Sequence, residues 1–111
     1  MKPQSAKSKG RRLQQEVRDA ILARFPDLEP DDVRCTSMGA PGEDVPLSPL
    51  ARRKFPYAIE CGNQERLNIW AKIKQAQSHA GDELTPLVVF KRNHSKPWVA
   101  LPLDAFLEAL K

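Results

Sequence analysis

Residues 55–61 read Phe55-Pro56-Tyr57-Ala58-Ile59-Glu60-Cys61, an apolar stretch suited to the middle of a sheet, with one carboxylate inside it. Behind it, Gln64 to Ala80 has helical periodicity. Leu67, Ile69, Trp70, Ile73, Ala76 and Ala80 form its expected buried arc, and Gly81 its C-cap. Thr85-Pro86-Leu87-Val88-Val89-Phe90 is the clearest strand in the chain. Trp98 to Leu101 is expected to pair with it across the polar turn Asn93 to Lys96. Asp104 is then expected to cap a last short helix of Ala105, Phe106, Leu107 and Leu110.

Upstream, Leu13, Val17, Ile21 and Phe25 recur every fourth position, and Ala20 and Leu22 broaden the stripe. This is an amphipathic helix from Gly10, ended by Phe25-Pro26 because a residue before proline is pushed out of the helical region. Residues 1–10 have almost no apolar content and read as a mobile basic arm, which leaves 11–111 as one domain. Asp32 to Ser37 reads as a short strand, and Met38 to Asp44 as a Gly/Pro loop. Val45 and Leu47 suggest a further strand broken by Pro46 and Pro49. Leu50 to Phe55 suggests one or two helical turns. The order is helix, two or three strands, helix, two strands, helix. That predicts an α/β or α+β domain whose sheet carries helices on one or both faces.

With 111 residues there is no room for separate catalytic and accessory domains. The 41% apolar and 29% charged shares are those of a globular chain, and 6% aromatic content implies an aliphatic core. Eighteen basic against 14 acidic residues leave a charge of +4, a bias compatible with nucleic acid. No apolar run approaches the ~20 residues of a membrane span, and no apolar segment of a signal peptide follows the basic start. Two cysteines, Cys35 and Cys61, make neither a disulfide scaffold nor a four-cysteine zinc site. A reducing, cytoplasmic setting is expected.

Two carboxylates stand out by context. Asp44 follows the Gly/Pro loop where a strand would begin, and Glu60 lies between Ile59 and Cys61, where a charge is costly without a partner. On neighbouring strands the two could converge on one hard cation such as Mg2+. Alternatively, Glu60 points to the solvent face of a one-sided sheet.

From about Leu13 to Leu110, the succession Gly42-Glu43-Asp44, then Ile59-Glu60-Cys61-Gly62, then a helix and Leu87-Val88-Val89-Phe90 resembles the PD-(D/E)xK nucleases. Within this restriction-endonuclease-like superfamily, it looks most like the small phage-encoded, Holliday-junction-resolvase-like members. The resemblance implies a mixed central sheet of four or five strands flanked by helices, in αβββαββα order. It implies a phage or prophage endodeoxyribonuclease that uses Mg2+, or Mn2+ as a substitute, and acts on DNA, branched DNA included. Asp44 and Glu60 would bind the metal, the backbone carbonyl of Cys61 would join them, and Glu16 matches a further metal-shell glutamate on the first helix. A homodimer would follow from the same analogy, since one small site cuts one strand. The second motif departs from the family at Gly62, where a lysine belongs. Three readings are open: Lys72, Lys74 or Lys91 supplies the cation, the chain binds DNA or protein without cutting, or a lysine has been removed.

Other polar residues carry weaker signals. Gln75 and Gln77 fall where related nucleases place a glutamine, but read first as surface residues. His79 and His94 lack metal-ligand spacing and read as surface histidines, while Trp70 and Trp98 read as core. Ser48 and Cys61 have no nucleophile context, and no Gly-rich phosphate cradle exists. The basic residues form three groups: Lys2, Lys7, Lys9, Arg11 and Arg12; Arg52, Arg53 and Lys54; Lys91, Arg92 and Lys96. Each could be plain solvated surface, and together they suit a phosphate backbone.

Overall fold

The computed structural model describes residues 6–36 and 41–110. Helix α1 spans Ala6–Arg24 and a 3-10 turn spans Pro30–Asp32. Helix α2 follows at Pro49–Lys54, then strand β1 at Tyr57–Asn63, helix α3 at Ile69–Ala80, strands β2 at Thr85–Lys91 and β3 at Trp98–Ala100, and helix α4 at Leu103–Glu108. The architecture is mixed α+β, with four helices around a three-stranded sheet of order β1-β2-β3.

The helix between β1 and β2 lets the second strand return in the same direction. The two pair in parallel over seven residues, from Tyr57 opposite Thr85 to Asn63 opposite Lys91. The four-residue turn Asn93 to Lys96 instead reverses the chain, so β3 is antiparallel to β2, with Val89 opposite Val99. Side chains alternate across the sheet. Ile59, Cys61, Leu87 and Val89 face α1 and join Leu13, Val17 and Ile21 in the main core cluster. Ala58, Glu60 and Val88 take the other face, under Ala76 and Ala80 of α3, and all five are buried.

The expected fourth and fifth strands do not form among the described residues. Residues 33–36 and 44–47 run antiparallel, but only Val33 and Leu47 make a bridge. That bridge is made by Ser48 N–H to Asp32 O (2.9 Å) and Arg34 N–H to Pro46 O (3.1 Å), and Thr36 N–H to Asp44 O (3.0 Å) completes a ragged ribbon. Pro46 has no N–H to give the ladder, and the 3-10 turn occupies the start of the expected strand at Asp32. Ser37 to Ala40 lie outside the described residues.

Other boundaries shift for local reasons. Helix α1 begins at Ala6, so Lys7, Lys9 and Gly10 are helical rather than part of an arm. Residues 1–5 lie outside the described residues. Helix α3 starts at Ile69, capped by the Asn68 side chain on the Ala71 N–H (3.1 Å), and ends at Gly81, whose φ of 58° suits glycine. The N-cap of α4 is Pro102, and Asp104 sits in its first turn. The two tryptophans correct a core assignment. Trp70 is 76% exposed and Trp98 58%, because α3 packs chiefly on β1 and β2 and leaves the β3 edge of the sheet largely open.

Candidate functional site

Asp44 reaches the open side of β1, the edge that β2 leaves free. Its N–H donates to the Ile59 carbonyl at 3.2 Å, and its Oδ2 accepts from the Cys61 N–H at 2.7 Å. The second bond has an ionised acceptor, which makes it short and strong. Val45, fully buried, anchors the segment from below. A residue that follows a loop is thereby fixed to the central strand at the level of Glu60.

Glu60 is only 3% exposed and faces α3. Its Oε2 lies 3.0 Å from Nδ1 of His79. Burial raises the Glu60 pKa first and the nearby Asp44 carboxylate raises it second, while the His79 hydrogen bond and charge and the Lys72 ammonium pull it back. Lys72, Ala76 and His79 follow one another at i, i+4 and i+7, and Ala76 is the buried member that presses this face of α3 onto the sheet. The solvent-face alternative for Glu60 is thereby excluded. Asp44, Glu60, Lys72 and His79 form one cluster of two carboxylates and two nitrogen bases.

His79 is exposed, as its sequence context suggests, but sequence reasoning missed its contact with Glu60. The signal that could have found it was its register with Ala76, since an alanine in an otherwise polar helical stretch marks the face that touches the sheet.

Gly62 is buried on the same face as Glu60, two residues along. A Cβ there would stand 2.8 Å and 2.9 Å from the two Cδ atoms of Leu67. The Leu67 side chain thus occupies the space into which a side chain at position 62 would rise, and would have to turn aside for one. Lys72 is the candidate replacement whose charge reaches Glu60. Lys74 is exposed on α3, as are Gln75 and Gln77. Cys61 presents its side chain to the core rather than to the cluster. Burial pushes its thiol far up, with Asp44 and Glu60 adding, so it is no nucleophile. Glu16 is exposed on α1, across the sheet from Glu60, and is not brought to the pair. Among the described residues, no three His, Cys, Asp or Glu side chains gather as a metal-holding group.

The basic groups divide. Lys9 and Arg12 on α1 meet Lys91 and His94 at a cleft of about 630 Å³ beyond the ends of β1 and β2, with Glu16 on its wall. Asn63 ties it together by donating from its side chain to the Lys9 carbonyl at 2.9 Å. His94, at the tip of the β2–β3 turn, has a φ of 65°, a left-handed conformation that sets it apart from its neighbours. By contrast, Arg52 pairs with Glu43 and Lys54 lies 3.7 Å from Asp27. Lys7, Arg11, Arg53 and Arg92 are exposed elsewhere on the surface, and Lys96 lies over the Trp98 ring.

Comparison of the chain with protein-family models, with curated proteins and with solved structures finds no match. Among the described residues, no helix is long and apolar enough to cross a membrane.

Proposed function

We propose that this chain is a metal-dependent endodeoxyribonuclease of the restriction-endonuclease-like kind, in which Asp44 and Glu60 hold Mg2+, or Mn2+ in its place. The observation that carries the reading is the docking of Asp44 on β1 through both its N–H and its carboxylate, beside the buried carboxylate of Glu60. Burial first and the neighbouring Asp44 charge second raise the Glu60 pKa, and a divalent cation would relieve the repulsion between the two carboxylates. Two hard carboxylate oxygens suit Mg2+, which keeps several waters and needs few protein ligands. The donor set therefore fits the ion, with the Cys61 carbonyl as the third oxygen that the family likeness supplies. When bound, Mg2+ would supply a Lewis acid and a bound water of lowered pKa.

The chain's own residues would do the rest. Asp44 and Glu60 orient, held in place by the Cys61 N–H and by His79. Lys72 brings an ammonium to the face on which the family's missing lysine would stand, where a fixed positive charge favours the charge that develops on a phosphate in the transition state. Lys9, Arg12 and Lys91 would neutralise backbone phosphates at the cleft. A non-catalytic DNA- or protein-binding descendant of the fold is the second reading, favoured by the hydrogen bond that already engages Glu60 with His79.

Cleavage of duplex, single-stranded and branched DNA, with and without Mg2+, separates the two. The nuclease reading expects Mg2+-dependent nicking that Asp44→Asn and Glu60→Gln each abolish. Removing one preorganised charge at Lys72 (Lys72→Met) should lower the rate by roughly 10²–10³-fold. Titration calorimetry with Mn2+ on the folded variants reads the metal directly. DNA binding by all proteins with no cleavage and no metal uptake would establish the second reading instead.

A further inference from the structure

We infer that the flank made by β3, α4 and the outer side of α3 is the surface on which two copies of this chain meet. The inference stands apart from the nuclease reading, because it rests on the far side of the sheet from β1 and Asp44.

Leu103, Phe106, Leu107 and Leu110 follow the i, i+3, i+4, i+7 spacing of one helical face. All four are exposed, at 72%, 48%, 56% and 64%, and no residue of α4 is buried. A six-residue helix has too few internal bonds to hold itself in water, so its stability must come from something its apolar face covers. Next to it, Trp70 and Ile73 of α3, Pro86, Val88 and Ala100 of the sheet, and Leu101 just beyond β3 line an apolar groove of about 280 Å³. Trp98, on the same face of β3 as Ala100, extends the exposed apolar surface along that strand. Strand β3 pairs with β2 alone, so among the described residues its outer edge is open.

The amount and the arrangement of this surface both point to a second copy. At ~150–250 Å² for a whole aromatic side chain, Trp70, Trp98 and Phe106 alone expose roughly 300–450 Å². Leu103, Leu107 and Leu110, each more than half exposed, carry the flank past the ~300–600 Å² of a typical monomer's largest patch and toward the ~800 Å² that one partner contributes to a standard interface. The flank also carries both halves of a joint, an apolar helix face that needs a groove and an apolar groove that needs a filler. One chain cannot use α4 in its own groove while α4's stripe faces solvent. Two chains related by a two-fold axis can use both halves at once, each α4 covering the other's Trp70–Ile73 groove, and the assembly closes without leaving a free half. The axis brings the two β3 edges together antiparallel, which removes the open edge as well.

Sedimentation equilibrium on the whole chain tests this. The wild-type protein should approach double the 12.5 kDa of one chain as its concentration rises. Leu103→Asp combined with Leu107→Asp should hold it at the single-chain mass, with any far-ultraviolet change limited to the six residues of α4. Both positions are exposed, so the sheet and the other helices do not depend on them. Trp98→Phe leaves Trp70 as the single tryptophan, and its emission should move to the blue on concentration, and should not do so when the two aspartates are added. A wild-type protein that stays at single-chain mass with a constant Trp70 spectrum would overturn the inference and leave the flank to another protein's helix. A dimer that survives both aspartates with Trp70 still exposed would overturn it too, by placing the interface elsewhere.

Discussion

Glu60 combines a charge with near-complete burial, and its raised pKa has a consequence for stability. The native state holds the Glu60 proton more tightly than the unfolded chain, whose value is 4.5. The stabilisation from this group is therefore complete below pH 4.5 and is lost as pH rises through the higher folded value. The groups facing it are Asp44 from the β1-docked segment and Lys72 and His79 from α3. Glu60→Gln is neutral throughout and should flatten the pH dependence of the urea midpoint in the window that opens at 4.5, with His79→Gln as the control for loss of the Glu60–His79 hydrogen bond. Identical slopes in wild type and Glu60→Gln would contradict this account. The sequence made Glu60 legible because a carboxylate inside an apolar strand has few explanations. Asp44 was legible only as a residue after a loop, since its two bonds to β1 depend on which strand it meets. Gly62 was legible as a departure but not as a consequence, because Leu67 approaches it from outside the strand.

The elements themselves were read well where periodicity and length agreed, as in α1, β1 and β2, and less well where a few residues depend on a partner. The ribbon of residues 33–36 and 44–47 has strand-like residues, but it contains Pro46 and too few bonds to become a sheet. Trp70 kept its helical phase and lost its expected burial, because a large apolar residue at the right spacing marks a face without saying whether this chain or another covers it. Helix α2 shows how short elements are held by side chains. Ser48 Oγ accepts from the Ala51 N–H at 3.1 Å and donates to Asp32 Oδ1 at 2.7 Å, while the Ser48 N–H donates to the Asp32 carbonyl at 2.9 Å. The same hydroxyl is the main reason the Asp32 pKa is lowered. Ser48→Ala removes the cap and the tie to the 3-10 turn together. It should cost about 1 kcal/mol in urea unfolding, with Ser48→Thr near wild type. A loss of stability equal in Ser48→Thr and Ser48→Ala would show that packing, not the hydroxyl, holds α2.

At the scale of the whole molecule, composition supplies a net charge of +4 but not where the charge stands. Topology decides that. Helix α1 crosses the sheet so that Lys9 and Arg12 arrive at the ends of β1 and β2, where Lys91 and His94 also lie, although Lys9 and Lys91 are far apart in the chain. Arg52 and Lys54, adjacent in sequence to the strand that carries Glu60, instead face Glu43 and Asp27. Cations gathered at one open cleft meet neighbouring phosphates together and release counterions with each contact, whereas Arg52 and Lys54 stand away from that cleft beside Glu43 and Asp27. The three basic groups of the sequence should therefore contribute unequally to DNA affinity. With Lys9, Arg12 and Lys91 all changed to Ala, affinity for any duplex should fall. The slope of log affinity against log salt should also flatten by about 0.9 for each phosphate contact removed. The loss should be the same across unrelated sequences, since phosphate contacts position without specifying. Arg52→Ala should leave that slope nearly unchanged and act on stability instead, by stranding the half-buried Glu43 carboxylate. Equal flattening by Arg52→Ala and by the cleft variant would mean that the field of the whole surface, rather than this cleft, draws DNA to the protein.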